Sequence, residues 1–274
     1  MKTVWITAFA KDKDRVGLAA ATLKRYGMQS QGHFWLDEPD KATGRVVLDA
    51  MLAAKVDAWL ILADEASLAT PGVRYGLSLL AASLVAERGV ALPIVCLWPT
   101  GTSPQALITD TLPPLLHSAA SFVDSSPTWA VKLVATLAKP SGVQRPTSLG
   151  DYRVTLWGDE NIGQWLEIGA TSQALAGFAF GVPSAPIVEN ETAPTIVFQA
   201  VGARGGLPQK TVLEYAQQGL KMTIGEREYT SWAVRNTITP EESYFVRITG
   251  CPAALVCMPY PDSDEVEATV IPMR

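Results

Sequence analysis

Asp57-Ala-Trp-Leu-Ile-Leu-Ala63 runs straight into Asp64-Glu-Ala-Ser-Leu-Ala-Thr-Pro-Gly-Val-Arg-Tyr-Gly-Leu-Ser-Leu-Leu80. Ala58 to Leu62 is an almost unbroken apolar run, as expected of a strand buried on both faces. Pro71 suits the first turn of a helix that runs to about Glu87 and stops at Gly89. A buried strand, a short loop and a helix make half of a βαβ unit. In open α/β sheets the junction at the carboxyl end of such a strand is where ligands and chemistry collect.

The same alternation extends on both sides. Val4 to Phe9 reads as a first strand, Arg15 to Tyr26 as a helix stopped by Gly27, and His33 to Leu36 as a second strand. The acidic loop Asp37-Glu-Pro-Asp40 and a helix over Val46 to Lys55 follow. Beyond the opening stretch, Ala91 to Trp98 and Ala119 to Val123 read as fourth and fifth strands, with a closing helix over Thr128 to Leu137. Strands alternating with helices through short connections predict a parallel sheet covered by helices on both faces. This α/β domain is expected over residues 1–138.

Residues 139–150, Lys-Pro-Ser-Gly-Val-Gln-Arg-Pro-Thr-Ser-Leu-Gly, have the composition of a linker. Beyond them, over 151–274, short β-rich segments recur between Gly and Pro. They are Tyr152–Trp157, Gln164–Ile168, Gly177–Gly181, Thr195–Val201, Lys221–Ile224, Tyr229–Val234, Tyr244–Thr249, Ala254–Met258 and Glu265–Ile271. That spacing predicts a mostly antiparallel sandwich or barrel, with one helix over Gln209 to Gln217.

Bulk properties narrow the function. The chain has 274 residues, ample for two domains, with 48% hydrophobic and 18% charged residues, unlike a disordered chain. A net charge of -5 argues against a nucleic-acid partner, which needs a dense basic face, and against a polybasic membrane anchor. Cys96, Cys251 and Cys257 have no metal-ligand spacing, and an odd number of cysteines fits reduced thiols in a cytoplasmic protein. The short apolar run at the N-terminus fits a strand better than a signal peptide.

The N-terminal half resembles the Toll/interleukin-receptor-like (TIR) family over roughly residues 1–125. Ile6-Thr-Ala-Phe-Ala-Lys-Asp12 resembles the family's opening strand and loop, and Leu23-Lys-Arg-Tyr-Gly27 followed by Phe34-Trp-Leu-Asp-Glu38 its second strand and acidic exit. Gly44 falls where the next loop usually has a glycine. Asp57 to Ala63, Ser67-Leu-Ala-Thr70 and Arg74-Tyr-Gly-Leu77 match the third strand and its helix. Nucleoside deoxyribosyltransferase-like proteins share this strand-loop-helix logic. The resemblance implies a flavodoxin-like fold and, in the family's enzymes, cleavage of the nicotinamide–ribose bond of NAD. That reaction needs a carboxylate beside an oxocarbenium-like sugar.

The family carries that carboxylate on the helix after the third strand, three residues past a Trp-Cys pair. Here the pair reads Gly72-Val73, and the acid's position reads Gly76, which offers no charge. A catalytic residue of the usual kind is therefore absent. The expected function is that of a signalling or interaction protein, with a protein partner or self-association and no resident cofactor. The alternative is a hydrolase or transferase acting on an N-glycosidic bond of NAD or a nucleoside. It would use Glu65 or Asp37, with Asp64 at the same strand mouth. By the same resemblance, Phe9, Lys11, Asp37, Ser67, Arg74 and Gly76 would line a site for NAD or another nucleotide.

Each candidate has a plainer structural reading. Loop acids solvate loops and favour helix N-termini. Arg74 is one turn into a helix and fits a solvated position as well as a phosphate. Lys11 and Lys13 are nearly cancelled by Asp12 and Asp14. His33 and His117 are too far apart in sequence to suggest zinc or a histidine base. Gly202-Ala-Arg-Gly-Gly206 with Lys210-Thr211 lacks the Walker spacing. Trp157, Trp165 and Trp232, with Tyr152, Phe178 and Tyr229, fit a sandwich core or an aromatic binding platform.

Overall fold

The protein is described by a computed structural model covering residues 1–9, 11–102, 111–138, 145–186, 191–262 and 267–274. Five parallel strands form the first sheet: β1 (Lys2–Ala8), β2 (Met28–Phe34), β3 (Ala58–Leu62), β4 (Ile94–Trp98) and β5 (Ala120–Val123). Their order, β2-β1-β3-β4-β5, reverses between β1 and β3. The helices are α1 (Lys13–Arg25), α2 (Thr43–Ala53), the single turn α3 (Glu65–Leu68), α4 (Pro71–Arg88) and α5 (Trp129–Ala138).

Period-two alternation assigns each strand residue to a face. Val4, Ile6, Leu60, Leu62, Val95 and Leu97 pack with Ala19 and Leu23 of α1 and Leu133 of α5. Trp5, Trp59, Ile61, Cys96 and Trp98 face the other way, onto Met51 of α2 and Tyr75 and Leu79 of α4. β2 starts earlier than its apolar content suggests. Met28-Gln-Ser-Gln-Gly32 is polar because it forms a sheet edge, where one side of the backbone has no strand to meet.

The remaining strands form two antiparallel sheets in a sandwich-like arrangement. One has the order β6-β7-β12-β9, from Tyr152–Asp159, Gly163–Ala170, Glu242–Thr249 and Thr195–Ala203. The other has β10-β11-β8-β13-β14, from Gln217–Ile224, Arg227–Ile238, Leu175–Pro183, Ala254–Met258 and Thr269–Pro272. Tyr152, Phe178 and Tyr244 stack in the core, with centroid separations of 5.7 and 5.3 Å. They belong to the core reading of the aromatics, and Tyr229 is buried too. Trp165 instead lies half-exposed at the edge of Phe198, 5.6 Å away.

The helix expected over Gln209 to Gln217 does not form. Thr211 holds the segment to β9, its hydroxyl accepting from the Val201 N–H at 2.8 Å and donating to the Val201 carbonyl. The Asn236 side chain holds the Glu214 N–H at 2.8 Å, and Tyr215 adopts φ 46°, which a helix does not accommodate. Of the expected linker, residues 139–144 lie outside the described residues, and Thr147–Leu149 is a 3-10 turn. The start of the last expected strand, residues 265–266, also lies outside them.

α4 is the hinge of the architecture. Twelve of its 18 residues are buried, the pattern of a helix covered on every side. One side lies on the parallel sheet and the other against β6. Ser83 donates to the Leu79 carbonyl at 2.7 Å and accepts from the Leu156 N–H at 3.0 Å, so a helix side chain satisfies the free edge of β6. A single hydrophobic cluster runs from Trp59 through Leu79 and Leu156 to Phe178 and Tyr244.

Candidate functional site

The carboxyl ends of the parallel strands carry the candidate site, where the loops after β2 and β3 meet the start of α4. Gly72 and Gly76 are four residues apart and so share a helix face. A Cβ at position 76 would stand 2.5 Å from Cζ2 of Trp35, a distance real Cβ atoms do not occupy. A Cβ at position 72 would run into the Asp37 carboxylate. The two glycines admit the loop after β2, and the indole of Trp35 fills the space into which a side chain at 76 would project.

What remains beneath the loop is a cavity of about 20 Å³, room for about one water molecule. Its walls are Trp35, Asp37, Gly72, Tyr75 and Gly76, together with Leu156 and Gln164 from the sandwich. The sandwich also clamps the loop from outside. The Gly250 N–H donates to Asp40 Oδ1 at 2.8 Å. Arg45 donates to the Leu156 carbonyl at 3.0 Å and lays its guanidinium 3.6 Å above the Trp157 ring.

The electrostatics follow from burial. Asp37 keeps an exposed edge, yet burial of the rest raises its carboxyl above the usual range. Burial pushes the Cys251 thiol up to about 12, helped by Asp37 and Asp40, and raises the fully buried Tyr75 phenol. Both groups are neutral at physiological pH, and the Tyr75 hydroxyl has no hydrogen-bond partner among the described residues. On β2, His33 Nδ1 accepts from Trp5 Nε1 at 3.0 Å, and burial lowers this histidine to about 4.

The expected site residues separate. Asp37 and Gly76 meet at the closed cavity, and Phe9 reaches it only through an edge contact with Trp35, 6.1 Å between centroids. Asp64 accepts from the Ser67 N–H at 2.8 Å and so caps α3, which commits the Asp64 carboxylate to local structure. Glu65 and Lys11 are exposed, and neither lines a described cavity with Asp37. Arg74 donates to the carbonyls of Thr111 and Leu112, tying α4 to the segment after β4.

Arg15, which no motif marks, spans the opposite side of the strand ends. It donates to the carbonyls of Ala63 and Leu97 at 3.1 and 2.6 Å and pairs with Asp124 at 2.9 Å. The open groove beside it, about 530 Å³, is walled by Asp12, Asp124, Pro99 and Trp129. Asp12 caps α1 through the Arg15 N–H. Among the described residues, no group of three or more His, Cys, Asp or Glu could hold a metal ion, and no helix is long and apolar enough to cross a membrane.

No family model and no curated protein matches the chain. One solved structure that it matches is a fusion carrying the trimeric coiled coil of yeast Spc42, 17% identical, covering 49% of this chain and 74% of that chain. Its TM-score is 0.28, and a likeness at that level carries no argument about fold or partner.

Proposed function

We propose that this chain is an interaction protein, TIR-like in its first half, that does not cleave NAD. The observation that carries the reading is the indole of Trp35 lying where a carboxylate on position 76 would have to project. A reacting sugar needs a carboxylate beside it and a pocket of several hundred Å³, whereas the cavity at this position is about 20 Å³. The clamp from Gly250 and Arg45 supports the same reading, because opening the loop would break contacts to the sandwich.

The competing reading is an N-glycosidic-bond hydrolase using Asp37 or Glu65. One observation favours it: burial shifts the Asp37 carboxyl upward, the direction in which a general acid is tuned. Against it, Asp37 rests on Gly72 and shares no described cavity with Glu65. Incubating the purified full chain with NAD and with nucleosides, and following nicotinamide or base release, separates the two. The proposal expects no release above the buffer blank. Release that Asp37→Ala or Glu65→Ala abolishes overturns it.

A further inference from the structure

The free edge of β2 is built to pair with itself. Among the described residues β2 has only β1 as a neighbour. The Trp35 N–H donates to the Ala8 carbonyl, so by alternation the odd positions before it bond to β1. The backbone groups of Met28, Ser30, Gly32 and Phe34 therefore face outward. Edge strands in monomers are normally blunted by Lys, Pro or inward-pointing charge. Met28-Gln-Ser-Gln-Gly-His-Phe34 has none of these.

Both faces beside this edge are also open. On the α1 side a groove of about 230 Å³ is walled by Val16, Ala20 and Phe34. On the α2 side one of about 250 Å³ is walled by Trp35, Leu36, Val46 and Val47. Large apolar side chains stand exposed at the two ends of the strand, Tyr26 at 44% and Leu36 at 60%. The ends differ in charge. Lys24 and Arg25 close α1 just before β2, while Asp37, Glu38 and Asp40 follow it, with Glu38 already bridged to Lys41.

From this pattern we infer that two copies of the chain pair antiparallel through β2, joining their parallel sheets into one of ten strands. The occupant is a second copy because the edge is complementary to itself. A two-fold axis at Gln31 sets Ser30 against the partner's Gly32 and Met28 against the partner's Phe34. All four have outward-facing backbone groups, so they make hydrogen-bonded pairs. The same axis brings Tyr26 toward the partner's Leu36 and the basic end of one strand to the acidic end of the other. A parallel arrangement would instead bring like charges together. The inference is independent of whether the cleft at Gly76 is catalytic.

At the two-fold axis Gln31 faces the partner's Gln31 as a non-hydrogen-bonded pair, about 4.5 Å between Cα atoms, within reach of a disulfide. Sedimentation equilibrium of the full chain should give about twice its 29.4 kDa mass. Gln31→Lys should return it to a monomer that keeps the wild-type far-UV circular dichroism, since the residue is exposed in the single chain. Its melting temperature should lose the concentration dependence that dimerisation gives the wild type. Gln31→Cys should form a disulfide-linked dimer on mild oxidation, whereas Leu18→Cys, exposed on α1, should not. A wild-type chain that stays monomeric overturns the inference. So does a dimer that survives Gln31→Lys and gives no Gln31→Cys cross-link.

Discussion

The two faces of the parallel sheet have opposite fates. Away from the β2 edge the α2/α4 face is sealed: α4 lies between the sheet and β6, and Ser83, Arg45 and Asp40 each bind the sandwich directly. The α1/α5 face meets solvent, and its charged groups serve the sheet's own strand ends through Arg15 and Asp124. In a doubly wound fold both faces start out equal, so the difference comes from the second half of the chain. It places the closed candidate site on the sealed side.

Buried polar groups on the sealed side should therefore matter far more than those on the open side. The largest effect is expected at Glu167, which accepts from Arg153, Ser243, Trp157 and the Gly205 N–H. The loop it orders sends Arg204 to the Ala86 carbonyl at the end of α4. Glu167→Ala strands a buried guanidinium and should lower the unfolding free energy in urea by about 3–5 kcal/mol.

His33 comes next. Its folded value near 4 lies below its ordinary 6.5, so the unfolded chain binds the extra proton first. Its contribution is complete above pH 6.5 and disappears as the pH falls to 4, a loss of up to about 3 kcal/mol. Stability curves of wild type and His33→Gln across that window should differ in slope, and parallel curves would remove histidine from the account.

Placing an acid at position 76 is the sharpest test of closure. Gly76→Glu must displace Trp35 and should cost about 1–3 kcal/mol. Adding Trp35→Ala should recover part of that loss, giving a double variant more stable than the two single effects predict. Strict additivity would mean that indole and glycine are not in competition. The smallest effect belongs to the open face. Asp124→Asn leaves a partly exposed pair broken and should cost no more than about 1 kcal/mol. A cost rivalling that of Glu167→Ala would erase the contrast between the faces.

Much of the fold was legible because it rests on local periodicity. Ala58–Leu62, Pro71–Arg88 and Ala254–Met258 stand where their apolar spacing predicts. The polar half of β2 was not legible, because an edge strand needs no apolar alternation. The helix expected at Gln209 fails because Thr211 and Asn236 hold that segment from elsewhere in the fold. At the site, Gly76 stands where the resemblance to the TIR family implies an acid, and the four-residue spacing from Gly72 hints at a close approach. That Trp35 makes the approach depends on the bend after β2. Arg15 was invisible for the same kind of reason, since Ala63, Leu97 and Asp124 meet only once the sheet has assembled.

The bond between Ser83 and Leu156 has a consequence for biogenesis. The helix is synthesised well before the strand that covers it. While the first half of the chain emerges from the ribosome, the outer side of α4 has only water against its leucines and alanines, and Ser83 lacks its strand partner. The nascent chain therefore passes through an interval in which it presents the kind of surface that chaperones hold. A product truncated near residue 138 would keep that side of α4 without its cover.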